Sequence, residues 1–327
     1  MSWLILLLTL SLPQQVEARP TVVVVVGAEG ESEFGREFKE WADRWESAAE
    51  RGSAELVVVG REAPAVPAKT DKEHLQGVLG AEVKKDDAPL WVVLIGHGTH
   101  DGREAKFNLR GPDVSDQELA EWLKPCTRPL AVINCSSASA PFLKPLSGKG
   151  RVVITATRSG SEVNFSRFGE HLSGAIADQG ADLDKDGQTS LLEAFLAASH
   201  RVEEFYKQEA RLATEHALLD DNGDGLGIPA NWFQGTRATR SAKDGAAVDG
   251  LRAHQWHLVM SSAEQAIPPE LRVRRDQLEL EVASLRSRKA SLPEEEYYAK
   301  LEPLLIELAR LYAGHPVTRP TVPGGVP

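Results

Sequence analysis

Five short runs of β-branched and aliphatic residues punctuate the first half of the chain: Thr21–Val26, Glu55–Val59, Leu90–Ile95, Pro129–Asn134 and Arg151–Ala156. Each is apolar almost without interruption, whereas a strand with one wet face alternates apolar and polar positions. The runs therefore predict a mostly parallel sheet covered by helices on both faces. Between and after them lie longer stretches with apolar residues at helical spacing: Ser32–Ala49, Lys72–Lys84, Ser115–Leu123, Pro141–Leu146, Phe165–Ala177 and Leu191–Gln208. Ser115 followed by Glu118 is the capping-box signature of a helix start. This alternation is that of an α/β fold.

The pattern changes further along. Residues 232–262 are small and polar and read as a linker. Glu270–Lys289 and Pro293–Tyr312 carry leucines at helical spacing and predict a C-terminal α-helical hairpin within residues 263–314. Residues 315–327, rich in Pro and Gly, predict a disordered tail. At the other end, the apolar run Trp3–Leu12 is too short for the roughly 20 residues that cross a bilayer. It reads as a signal peptide over residues 1–18, with an uncleaved anchor as the alternative. The expected product is exported, periplasmic or extracellular, with no stable membrane insertion after cleavage.

Composition narrows the function class. With 42% hydrophobic and 26% charged residues in 327, the chain suits one large or two unequal globular domains. A net charge of −11 argues against nucleic acid as a partner. Its two cysteines, Cys126 and Cys135, flank a predicted strand, about 20 Å apart at some 3.3 Å per residue. A disulfide needs Cα atoms within about 7 Å, so Cys135 is expected to be a free thiol.

Two strand ends carry candidate chemistry. Leu90–Ile95 runs into Gly96-His97-Gly98, and Leu130–Asn134 runs into Cys135-Ser136-Ser137-Ala138-Ser139. Parallel strands release reactive groups at their carboxyl ends, so His97 and Cys135 can meet there as base and nucleophile. Amides after Cys135, with a helix start behind them, would favour a thiolate, and with the Gly98 amide could hold an oxyanion. Gly98 would also let a substrate chain approach closely. Taken singly, a cysteine or a histidine is more often structural; at one sheet edge, each followed by small residues, they point to catalysis.

At these residues the chain resembles the legumain family of cysteine peptidases, which shares its fold with the caspases. His97 to Gly102, the extended Lys106–Arg110 and then Asp113–Leu119 are similar to the elements that follow that family's catalytic histidine. Cys135-Ser136-Ser137-Ala138-Ser139 matches its Cys-x-Ser-Gly-Ser with Ala for Gly, and Val152–Thr157 resembles its next strand. The resemblance spans residues 20–180 and implies a caspase-like catalytic α/β domain acting on peptide or protein substrates. It makes Cys135 the nucleophile, His97 the general base and Gly98 an oxyanion donor. Two positions depart from the pattern. Glu29 stands where legumains have Asn, and Ile133 stands where they have an acidic residue of the specificity pocket. The candidates for substrate binding are Glu29 and the loop residues Ser159, Ser161, Glu162 and Asn164.

A different chemistry follows in residues 181–231. Asp182, Asp184, Asp186, Ser190 and Glu193 occupy positions 1, 3, 5, 9 and 12 of a twelve-residue loop, with Gly187 at 6 and the Gln188 carbonyl at 7. Those are the Ca²⁺ ligand positions of an EF-hand, and predicted helices flank them. Thr189 departs from the usual aliphatic residue. Asp220, Asn222 and Asp224 begin a second such loop, which lacks its distal carboxylate because Asn231 falls at position 12. It is a possible second metal site or a half-site that only turns the chain. The sequence thus supports an exported, calcium-stabilised cysteine endopeptidase, without excluding transpeptidation. The alternative is a catalytically silent calcium-binding interaction module on the same fold. Self-association through the hairpin is possible. The exposed Arg237 and Arg240 could mark a processing site that frees the hairpin as a cap over the active-site edge; the alternative, which the sequence favours, is a domain that simply packs on the sheet or mediates self-association.

Overall fold

The predicted strands form where the uninterrupted apolar runs place them. In the computed structural model, which describes residues 19–62, 69–85, 88–243 and 247–314, the chain begins β1 (Thr21–Val26), α1 (Ser32–Arg51), β2 (Glu55–Val59), α2 (Asp71–Glu82) and β3 (Leu90–Ile95). It continues through β4 (Gly98–His100), β5 (Ala105–Phe107), β6 (Val114–Ser115), α3 (Asp116–Leu123), β7 (Leu130–Asn134), α4 (Leu143–Leu146) and β8 (Arg151–Thr155). Then come α5 (Phe168–Ala175), α6 (Leu191–Gln208), β9 (Leu218–Asp220), β10 (Ile228–Pro229), β11 (Phe233–Gln234) and β12 (Arg237–Ala238). The chain closes with α7 (Leu251–His254), α8 (Ser262–Gln265), α9 (Pro269–Ser287) and α10 (Glu294–Gly314). The predicted signal peptide and tail lie outside the described residues.

Among the described residues the main sheet has the order β10-β9-β8-β7-β3-β1-β2. The strands from β8 to β2 run parallel, and β9 and β10 add an antiparallel edge. Side chains alternate between two cores. Val22, Val24, Trp91, Val93, Ala131 and Ile133 face a layer that includes α1, α5 and α6, while Val23, Val25, Val92 and Val132 face α2, α3 and α4. This double burial is why the strands read as continuous apolar runs. Phe38, Trp41 and Trp45 of α1 are almost wholly buried, each contributing on the order of 2–3 kcal/mol. The capping box at Ser115 and Glu118 is present, and Thr70 and Ser190 form two more.

The second half differs from its sequence reading. The described residues of 232–262 form a folded brace rather than a linker: Asp249 and Ala253 are buried, and Trp256 packs edge-on against Trp91 of β3, ring centroids 4.9 Å apart. Arg237 lies within the small β11–β12 hairpin, and the Arg240 guanidinium sits over the Trp232 ring. The predicted hairpin forms as α9 and α10, joined by the Arg274–Glu307 ion pair. Its place is the amino end of the sheet. A cavity of about 480 Å³ is lined there by Pro20, Pro89 and Pro129, which precede β1, β3 and β7, together with Pro269, Val273 and Leu280 of α9. That is the opposite edge from Cys135 and His97, so the hairpin does not cap the candidate site. No described helix is long and apolar enough to cross a membrane.

Candidate active site and acidic loops

β3 and β7 are neighbours, with Leu94 paired to Asn134. His97 and Cys135 therefore leave adjacent strands at the same edge, and alternation turns both toward the α1 and α5 face. His97 lies in an aromatic cage of Phe34, Phe38 and Phe165, with ring centroids 4.9, 5.1 and 5.9 Å from its own. Its Nε2 is 3.2 Å from the backbone carbonyl of Glu29. A carbonyl oxygen only accepts, so Nε2 carries the proton and Nδ1 is left as the acceptor. The Glu29 side chain takes no part in this: it packs where a Cβ on Gly35 would overlap its carboxylate. The position where the resemblance expects an Asn thus serves His97 through a backbone atom that any residue supplies.

Cys135 is a free thiol, 1% exposed. It lies under α5, where a Cβ on Gly169 would come within 2.8 Å of the Cys135 Cβ and 2.9 Å of the Trp41 ring. Burial pushes its thiol well above the ordinary range, and the charge of Glu215 adds to the shift. The amides and helix start expected to favour a thiolate are outweighed by desolvation, which penalises the charged form. His97 and Cys135 make no hydrogen bond to one another. Glu215 is the residue that sequence reasoning missed. Buried, it accepts from Ser166 Oγ (2.7 Å) and from the amides of Arg167 and Phe168 at the start of α5. As a single glutamate in an irregular stretch, it left no signal in the sequence.

The polar groups of Gly98 are engaged by the loop after β7. Its N–H donates to Ser137 Oγ (3.3 Å), and that hydroxyl donates to the Gly98 carbonyl (3.2 Å). A Cβ at Gly98 would overlap the Ser137 carbonyl oxygen. The close approach is that of the loop after β7, not of a substrate. In that loop Asn134 Oδ1 accepts from the N–H and hydroxyl of Ser136, and Ala138 adopts a left-handed φ of 52°. This is the position where the legumain motif has Gly, which takes that conformation without steric cost.

The predicted substrate residues do not converge on His97 and Cys135 as free groups. Glu162 is committed: its carboxylate meets His216 Nδ1 at 2.6 Å and Arg158 Nε at 3.3 Å, and its carbonyl accepts from the Ala138 N–H (2.7 Å). Ser159 and Ser161 bond to each other through their hydroxyls (2.8 Å), and Asn164 is exposed. Predicted to begin at Phe165, α5 starts only at Phe168, where Glu215 accepts the first amides, and the Phe165 ring packs against His97.

The first acidic loop draws its carboxylates together. Carboxylate oxygens of Asp182, Asp184 and Asp186 lie within 4.8 Å of one another, and so do ligand atoms of Asp184, Glu193 and His254. Left-handed Lys185 and Gly187 make the turn. Asp182 accepts from the amides of Lys185 (2.6 Å) and Gly187 (3.1 Å), and Glu193 Oε1 from those of Leu183 and Asp184. Ser190 and Glu193 also cap α6. Gln188 donates from its side chain to Asp186 and accepts from the Ser261 N–H. Thr189 turns inward to the Asp178 carbonyl, and the β-bridge of this loop is formed by Ser190 with His257. The second loop joins β9 to β10 and so belongs to the main sheet.

Comparison with known proteins adds shape alone. No protein-family model matches the chain, and no curated protein does. Solved structures similar to it include the Drosophila initiator caspase Dronc, with a TM-score of 0.44 and 12% identity over 62% of this chain and 79% of that one. Caspase-1 from Spodoptera frugiperda gives a TM-score of 0.40 and 11% identity over 62% of this chain and 86% of that one. The mixed α/β fold with a mostly parallel sheet therefore has caspases among its structural neighbours, at a level that assigns neither family nor chemistry.

Proposed function

We propose that this chain is an exported cysteine endopeptidase, with Cys135 as nucleophile and His97 as base, stabilised by calcium on the Asp182–Glu193 loop. The observation that carries the reading is the register of β3 and β7, which releases His97 and Cys135 at one edge and on one face. The Glu29 carbonyl supports it by leaving Nδ1 of His97 free to accept a proton. Cys135 would pass its proton to His97 as sulfur bonds to the scissile carbonyl carbon. The imidazolium would protonate the leaving amine as the C–N bond breaks, and water would then hydrolyse the thioester. An amine attacking instead of water would give transpeptidation. The burial of Cys135 makes the described state a closed one, and substrate would enter only when Phe165 to Gly169 withdraw.

Calcium fits the first loop on its donor chemistry. Asp182, Asp184, Asp186, Glu193, Ser190 and the Gln188 carbonyl are hard oxygen donors, as Ca²⁺ requires. Asp186 is raised by burial and by the neighbouring charges of Glu193 and Asp182, a repulsion that a divalent cation would relieve. Calcium when bound would supply that counter-charge and fix the start of α6.

One observation favours a second reading, a catalytically silent calcium-binding module: a sealed thiol with a raised pKa is an unreactive one. Hydrolysis of mixed-sequence fluorogenic peptides separates the two, measured with calcium and with chelator beside Cys135→Ala. Activity that disappears in Cys135→Ala establishes the peptidase. Inactivity in every arm, including after limited proteolysis of the wild type to open the site, leaves the binding module.

A further inference from the structure

Position by position, the second acidic loop is built like the first. Its first residue, Asp220, accepts from the amides at positions 4 and 6, Gly223 (3.0 Å) and Gly225 (3.0 Å), as Asp182 does from Lys185 and Gly187. Asn222 at position 3 accepts from Asp224 (2.8 Å), and Asp224 at position 5 accepts from Leu226 (2.8 Å). Asp184 and Asp186 make the corresponding bonds in the first loop. Positions 4 and 6 are left-handed in both loops. Such turns alone would show only how the chain bends.

The distal carboxylate is where the loops part in sequence and meet again in space. In the first loop Glu193, at position 12, accepts through Oε1 from the amides of positions 2 and 3, Leu183 (2.8 Å) and Asp184 (3.3 Å). In the second loop the amides of positions 2 and 3 are Asp221 and Asn222, and both donate to Oδ1 of Asp249, at 3.0 and 3.1 Å. Asp249 lies outside the loop in sequence and stands in the place of the missing residue. It is 1% exposed, and its other oxygen, Oδ2, is buried with no hydrogen-bond partner. An unpartnered buried carboxylate oxygen is costly, and the charges of Asp221 and Asp220 bear on this carboxylate as well. Asp221 is already occupied, accepting from the amides of Gly250 and Ala253. The Arg252 guanidinium acts on Asp221, and among the described residues no ion pair reaches Asp249.

We propose that Asp249 completes a second calcium site from outside the loop, together with Asp220, Asn222 and Asp224, by presenting Oδ2 as the distal carboxylate donor. The proposal extends the calcium reading of the first loop and rests on the same cation class. Carboxylates, an amide oxygen and the position-7 carbonyl of Leu226 form the all-oxygen donor set that Ca²⁺ takes. Among the described residues only the first loop draws three carboxylates within 4.8 Å of one another, so the second site is the weaker.

Calorimetric titration of the chelator-treated full chain with calcium chloride tests this, comparing wild type, Asp249→Asn and Glu193→Gln, with folding checked by circular dichroism. The expected result is two sites per chain in the wild type. Asp249→Asn weakens the lower-affinity one about tenfold or more and spares the other, while Glu193→Gln does the reverse. Two sites that both survive Asp249→Asn unchanged overturn the proposal. A single wild-type site that is lost in Glu193→Gln overturns it too, while leaving calcium on the first loop standing; no binding in any arm removes both readings. If Asp249→Asn does not fold, Asp249→Glu is read instead: a weaker site shifted about fivefold or more supports the proposal, and an unshifted one overturns it.

Discussion

The carboxyl edge at β3 and β7 and the acidic loops beside β8 to β10 solve opposite electrostatic problems. At the edge, His97 is surrounded by Phe34, Phe38 and Phe165, Gly98 and Ser137 answer each other's polar groups, and the Cys135 thiol is kept neutral by burial. That region is complete as the chain alone builds it. In the loops, Asp182, Asp184, Asp186 and Glu193 converge, and so do Asp220 and Asp249, with backbone amides as their main partners. Gathered carboxylates repel one another, and this second region holds more negative charge than the His254–Asp184 pair and Arg252 beside Asp221 offset. The contrast leads us to place the proposed dependence on an added cation in the loops, and the movement that would expose Cys135 at the edge.

The largest effect should come from breaking the edge itself. Gly98→Ala places a Cβ on the Ser137 carbonyl oxygen and should cost about 3 kcal/mol or more, read as a fall in the denaturant midpoint with or without calcium. Acid should strike the other region. His257, bridged to Ser190 of the first loop, is held down to about 4 by burial, against the raising influence of Glu264 and Glu193 and with His254 and Arg275 lowering it further. The unfolded chain then takes up the proton more readily below about pH 6.5. Stability should fall as pH drops from there and level off below about 4, by on the order of 3 kcal/mol, a slope that His257→Gln should remove. Chelator should destabilise the loops next: calcium at 100 times its dissociation constant is worth about 2.7 kcal/mol per site, seen as a lower melting temperature in chelator that Glu193→Gln abolishes in part. Smallest is Ala138→Gly at the edge, which relieves a left-handed alanine and should stabilise by about 1 kcal/mol, by thermal melts, without altering calcium binding.

What the sequence could tell followed from the range of the interactions. β1, β3, β7 and β8 were legible because burial on both faces writes itself as uninterrupted Val, Leu and Ile, β2 by the same residue types at a partly exposed edge, and the meeting edge of His97 and Cys135 followed from strand ends. β9 and β10 were not, since three residues and two beside an acidic loop carry no period. Helical spacing in α9 and α10 shows which faces are apolar but not at which end of the sheet they lie, so a cap over the active-site edge and a domain packed elsewhere on the sheet read alike. Local amides suggested an activated Cys135; the burial under Gly169 and Trp41 and the charge of Glu215 come from distant segments and reverse it. The contact of Asp249 with the second loop is non-local in the same way, which is why residues 232–262 read as a linker.

The most direct test of the account is covalent trapping. The full chain, with calcium, is incubated with a mixed-sequence peptidyl electrophile, and adducts are mapped by mass spectrometry in wild type and His97→Ala. The account predicts slow modification of Cys135 that needs His97 and speeds up after limited proteolysis opens the site, with Cys126 untouched. Modification of both cysteines at equal rates regardless of His97, or none at Cys135 after opening, would contradict it.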